Sequence, residues 1–91
     1  MSFKTVYVIV SGHVQGVGFR YFAWHKALEF QIAGWVRNAP DGKVEIEAEG
    51  EPPNMDAFID WIKIGPSRAI IRSVSVSEIS PPRNFNNFTI R

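Results

Sequence analysis

The apolar positions of the chain change period several times, and each change marks an element. From Thr5 to Ser11, Val6, Val8 and Val10 alternate with Tyr7 and Ile9, so both faces are apolar and the spacing predicts a central strand covered by helices on one side. Three of the seven glycines then fall within Gly12 to Gly18, which reads as a loop. From Phe19 to Phe30, the residues Phe19, Ala23, Ala27 and Phe30 recur at three- and four-residue steps, the stripe of a helix with one face on a core.

Ala33 to Asn38 reads as a second strand, Ala39 to Gly42 as a tight connection, and Lys43 to Glu49 as the antiparallel partner. In that partner Val44, Ile46 and Ala48 alternate with Glu45, Glu47 and Glu49, which predicts a core face and an acidic face turned to water. Asn54 is expected to cap a second helix, in which Met55, Phe58, Ile59 and Ile62 follow helical spacing until Gly65 and Pro66 stop it. Ala69 to Ser77 alternates Val with Ser as another strand, residues 80–87 form a loop, and Phe88 to Arg91 alternates again as a short last strand. The order β-α-β-β-α-β, with that strand appended, predicts an α+β ferredoxin-like sandwich: an antiparallel sheet with both helices on one face. No repeat or linker interrupts it, and residues 1–91 are expected to form one domain.

That architecture hosts unrelated functions, so composition must narrow the choice. Ten Lys and Arg against nine Asp and Glu give a net charge of +1, far from the basic footprint of a dedicated nucleic-acid binder. On the open sheet, Tyr7, Trp35 and Phe88 are read as packing residues and not as a base-stacking platform. The absence of cysteine removes disulfides, thiolate nucleophiles and cysteine-ligated metals, and two isolated histidines make no closed zinc site. No metal and no cofactor are expected. The apolar runs are too short to span a membrane, and Met1 to Thr5 shows no charged-then-apolar leader, so the expected compartment is the cytoplasm and no membrane partner is expected. Self-association is not written in the sequence, and a monomer is expected.

The segment that points to chemistry is Gly12-His13-Val14-Gln15-Gly16-Val17-Gly18-Phe19-Arg20. Glycines between a buried strand and a helix turn backbone N–H groups inward, and a helix N-terminus adds unpaired donors and a positive dipole end. Arg20 falls in the first turn of that helix, where a cation opposes the dipole by roughly 0.3–1 kcal/mol. A bound dianion between guanidinium and amides offsets that conflict. No Gly-Lys-Ser/Thr triplet follows, so the loop is no nucleotide-triphosphate cradle. The anion-binding set read from the loop is Gln15, Gly16, Val17, Gly18, Phe19 and Arg20, with Gln15 contributing through its backbone, the anion being a phosphate or a carboxylate. Asn38, at the end of the second strand, carries a carboxamide able both to accept from a water and to donate to a phosphoryl oxygen, although an Asn ahead of Ala-Pro-Asp-Gly also suits a turn.

The nine-residue segment, followed by Gly34-Trp35-Val36-Arg37-Asn38 and Asp41-Gly42, resembles the acylphosphatase family signature. The resemblance implies hydrolysis of the carboxyl-phosphate bond of small acylphosphates without a metal. It implies that Arg20 and the loop amides bind phosphate and that Asn38 orients the attacking water, making Arg20 and Asn38 the catalytic pair. Two departures stand out: Ala39 follows Asn38 where a hydroxyl residue is common, and Arg91 is not followed by the closing tyrosine common in the family. His13 lies at a position that the family fills variably, and His25 reads as a surface residue. The competing reading is a non-catalytic module of the same fold that binds an anion such as carbamoyl phosphate.

Overall fold

The computed structural model describes residues 3–91. The elements run β1 (Lys4–His13), α1 (Phe19–Glu29), β2 (Ala33–Asn38), β3 (Val44–Gly50), α2 (Pro52–Ile64), β4 (Ile70–Glu78) and β5 (Phe88–Ile90). They form one five-stranded sheet in the order β4-β1-β3-β2-β5, and the Cα radius of gyration is 12.0 Å. The expected ferredoxin-like architecture is present with one difference. The sheet is mixed, because β5 lies parallel to β2, with Gly34 opposite Phe88 and Val36 opposite Ile90.

Strand alternation puts Val6, Val8 and Val10 on the face under the helices, where they are fully buried, while Tyr7 and Ile9 are half-buried on the other. Val36, Val44 and Ile46 meet them from β2 and β3, and Phe19, Ala23 and Ala27 of α1 with Met55, Phe58 and Ile62 of α2 close the core. Phe88 extends it from β5, its ring 6.2 Å from that of Phe58. Burying such side chains contributes on the order of 1.5–3 kcal/mol each.

Two expectations are corrected. The second helix begins at Pro52, with Glu51 at the N-cap and no side-chain cap; Pro52 and Pro53 occupy its first turn, so Asn54 is a helical residue and not the cap. Proline's fixed φ and missing donor suit that turn, where an N–H would have no intrahelical acceptor.

The acidic row of β3 is not uniformly turned to water. Glu49 is only 2% exposed; its carboxylate accepts from the hydroxyl of Thr5, its cross-strand neighbour, and from the amides of Arg83 (2.8 Å), Asn84 (3.2 Å) and Phe85 (2.9 Å). Burial pushes this carboxyl up, but the Thr5 hydroxyl and the three amides outweigh burial and hold it below the usual carboxylate range. Glu49 thereby anchors the segment that leads into β5. Glu47 adds an ion pair to Arg83 at 3.1 Å, and Glu45 one to Arg37 at 2.6 Å.

Candidate active site

The register brings three distant segments to one corner of the sheet. At the top of β1 a shift in pairing between Ser11 and Gly12 bends the strand end into the glycine-rich loop. Gly16 (φ 74°) and Gly18 (φ 82°) both adopt left-handed backbone, and a Cβ at either would meet nothing within 4 Å. The glycines therefore serve the turn itself and not a crowded contact. Gly18 is also the N-cap of α1 and has no side chain to offer. The first intrahelical bond runs from the Phe22 amide to the Gly18 carbonyl at 3.0 Å, so the amides before Phe22 lack acceptors within the helix.

Asn38 closes β2 opposite Val44 and shares the helix-side face with Val36, which carries its carboxamide toward the start of α1. Ile90 lies on that same face of β5, opposite Val36. The corner is a cleft of about 260 Å³. Gly16, Gly18 and Phe19 line it together with Arg20 and Asn38, and Tyr21 and Ile90 complete its wall.

Arg20 is exposed, and its Nη1 donates to the main-chain carbonyl of Arg91 at 3.1 Å. The strand end thus supports the arginine through backbone. Arg91 is itself held by its amide bond to the Val36 carbonyl, 2.8 Å, and its guanidinium covers Trp35 at 4.6 Å from the ring centroid. The ion pairs among the described residues are Lys26–Glu29, Arg37–Glu45, Lys43–Asp41 and Arg83–Glu47, and none consumes Arg20. A guanidinium held by one carbonyl and paired with no carboxylate retains donors for an incoming anion.

Of the residues singled out in the loop, Gly16, Gly18, Phe19 and Arg20 line the cleft with Asn38, whereas Gln15 and Val17 do not. Val17 is 7% exposed and belongs to the core, as does Phe19, which also borders the cleft. Gln15 uses its side chain after all: Nε2 donates to the carbonyls of Ala39 (2.8 Å) and Lys43 (2.9 Å), tying the loop to the β2–β3 turn. Inside that turn the Ala39 amide donates to the Lys43 carbonyl at 2.8 Å, and Gly42 to that of Ala39 at 3.2 Å. Trp35 and Phe88 are packing residues, 8% and 6% exposed. Tyr7 gives its hydroxyl to Glu45, a bond that raises the phenol and lowers the carboxyl from their ordinary ranges. Tyr21 and Ile90 were not singled out from the sequence. Tyr21 follows the signature, and only the parallel pairing of β5 reveals Ile90.

The family model described as Acylphosphatase matches residues 6–90. The chain belongs to the acylphosphatase family. An acylphosphatase of Chlorobaculum tepidum is 47% identical over 90 residues, covering 99% of this chain and 98% of that one. The crystal structure of the acylphosphatase from Bacillus subtilis superposes with a TM-score of 0.94 at 39% identity, covering 97% of this chain and 98% of the other. Full-length HypF in its phosphate- and nucleotide-bound form contains the same fold, with a TM-score of 0.92 and 34% identity over 99% of this chain but 12% of its own.

Proposed function

We propose that the chain hydrolyses the carboxyl-phosphate bond of acylphosphates in the cleft at the start of α1. The observation that carries this reading is the convergence of Arg20, Asn38, Gly16 and Gly18 on one cleft. The phosphoryl group sits against the amides of the loop and the first turn, with the Arg20 guanidinium spanning two of its oxygens. These donors are fixed before substrate arrives, so they stabilise the charge that spreads over the phosphoryl oxygens without reorganising.

Asn38 takes the attacking water. Its carboxamide oxygen accepts one water proton while its NH₂ donates to a phosphoryl oxygen, which places the water oxygen in line with the bond to be broken. The water oxygen forms the new bond to phosphorus, the bond from phosphorus to the carboxyl oxygen breaks, and the electron pair leaves on the carboxylate. A carboxylic acid of ordinary pKa near 4 requires no proton to depart at neutral pH. The water's proton goes to a phosphate oxygen. Neither a general base nor a metal is needed for this balance, and the groups named serve positioning and charge.

The direct test is release of orthophosphate from acetyl phosphate by the purified chain, with and without EDTA. Turnover unaffected by chelator, with competitive inhibition by orthophosphate, supports the reading. Absence of turnover contradicts it. The alternative, a non-catalytic module of this fold that binds an anion such as carbamoyl phosphate, is identified by orthophosphate affinity with no turnover.

A further inference from the structure

The order β4-β1-β3-β2-β5 gives the sheet two outer strands of unequal length. β5 has three residues, whereas β4 has nine, Ile70–Glu78, and pairs on one side only, with β1. The far side of such a strand is a row of N–H and C=O groups that another strand can continue, and a long edge is ordinarily blunted by proline, lysine or an inward charge. From Ile70 to Glu78 there is no proline and no lysine, and the charged residues are Arg72 and Glu78. A shift in pairing opposite Ser11 and Gly12 bends the strand near Arg72, and from Ser73 to Glu78 the register is regular.

That register fixes which groups face outward. The Ile79 amide donates to the Thr5 carbonyl at 2.8 Å, so Ser77 and Ser75, at two-residue steps, exchange their backbone bonds with Tyr7 and Ile9. The amides and carbonyls of Val74, Val76 and Glu78 therefore point away from β1. The same three residues share the helix-side face, opposite Val10, Val8 and Val6. Val74 packs in part against the core, while Val76 is 42% exposed. Arg72 and Glu78 are both exposed, and neither joins an ion pair among the described residues.

We propose that two copies of the chain associate edge to edge through β4, antiparallel about a two-fold axis at Ser75. Arg72 stands three residues before Ser75 and Glu78 three after it, so the axis sets each Arg72 against the other copy's Glu78 and each Val74 against the other copy's Val76. The outward groups of these valines form two backbone bonds in each Val74–Val76 pair, and the exposed Val76 side chain gains an apolar neighbour. Other registers lose the match. Centred on Val74, the pairing sets Arg72 against Val76 and Glu78 against Ile70; centred on Val76, it sets Glu78 against Val74. The product is one continuous ten-stranded sheet, five strands from each copy, with all helices on the same face. Because β1 and β3 separate β4 from β2, the cleft at Asn38 stays open in both copies. A seam this short falls at the small end of protein interfaces, which makes the dimer weak and dependent on concentration.

The test is sedimentation equilibrium of the full chain from about 10 μM to about 1 mM, the span of weak affinities. Wild type is expected to pass from monomer to dimer in that span and to stop there, since pairing consumes the β4 edge. Arg72→Glu and Glu78→Arg each set like charges against one another at both ends of the seam and should weaken the dimer at least about tenfold. An equimolar mixture of the two variants should dimerise as wild type does, because every Glu then meets an Arg. Melting curves of both variants should match wild type at low concentration, neither side chain having an ion-pair partner within the chain. A wild type that stays monomeric throughout overturns the proposal, and leaves the edge to a different partner. So does a dimer that both single variants retain, or a mixture of folded variants that fails to recover it.

Discussion

The side-chain amide of Gln15 donates to the carbonyl oxygen of Ala39 at 2.8 Å, and so the glycine-rich loop and the residue after Asn38 are held as one piece. The second bond from the same nitrogen, to Lys43 at 2.9 Å, fixes the other side of the turn. Ala39 offers only its backbone, and Gln15 uses it. Gln15→Ala is therefore expected to lower kcat for acetyl phosphate about tenfold, since small displacements of a positioned group are costly, and to cost about 1–2 kcal/mol of stability. Gln15→Glu should be worse than Ala at neutral pH, because an ionised carboxylate faces two acceptors. Urea unfolding and steady-state kinetics check both. Activity of Gln15→Glu equal to wild type contradicts the positioning role.

Arg20 sits on the surface and contributes little to the fold. Arg20→Ala should change stability by no more than about 0.5 kcal/mol, loss of its bond to the Arg91 carbonyl being set against relief of its conflict with the helix dipole. Orthophosphate should cease to inhibit. Arg20→Lys should recover little, because a point charge does not reproduce the planar fork that spans two phosphoryl oxygens. Competitive inhibition measured on folded variants decides this, and a wild-type inhibition constant in Arg20→Ala removes Arg20 from the site.

Glu49 is far from the chemistry yet connects to it through β5. Its bonds to three amides tie residues 83–85 to β3, ahead of the strand that delivers Ile90 to the cleft and the Arg91 carbonyl to Arg20. Glu49→Ala leaves those donors without their acceptor and should cost about 2–4 kcal/mol, lowering the melting temperature by on the order of 10 °C or more. A calorimetric scan showing no change contradicts the anchor.

The same carboxylate sets a pH dependence. Its folded pKa lies below the unfolded value of about 4.3, so between the two the unfolded chain binds more protons and acid favours unfolding. The stabilisation is complete above the unfolded pKa and is lost as pH falls through the folded one. Glu45, lowered by its bonds to Tyr7 and Arg37, acts in the same sense. Denaturation midpoints of wild type should therefore fall more steeply below about pH 4.3 than those of Glu49→Gln, with a residual slope from Glu45. Identical slopes would exclude Glu49 as a source.

Much of this site is legible in the chain itself because it depends on local rules. Alternation of Val6, Val8 and Val10 fixes the face of β1, glycines announce the left-handed loop, and a cation at Arg20 in a helix's first turn draws attention to the corner where the cleft lies. What escapes is long-range. Nothing in the Glu45, Glu47, Glu49 alternation shows that the last carboxylate meets three amides some 34 to 36 residues away. The partners of Gln15, 24 and 28 residues on, depend on how the loop packs against the turn. Ile90 enters the cleft only because β5 pairs in parallel with β2. The start of α2 departs from the capping rule for a local reason: Asn54 is a strong capping residue, but the proline pair is tolerated inside the first turn and moves the cap to Glu51.

Asn38 carries the central claim that this corner of the sheet is a hydrolytic site and not only an anion cradle. The decisive measurement is kcat for acetyl phosphate at saturation in Asn38→Ala, with orthophosphate affinity read on the same sample by calorimetry. Phosphate affinity should change little, because Arg20 and the amides hold the anion. The value of kcat should fall on the order of 10² to 10³, as when one preorganised donor is lost. An unchanged kcat, with phosphate affinity collapsed, contradicts the account and makes Asn38 a binding residue.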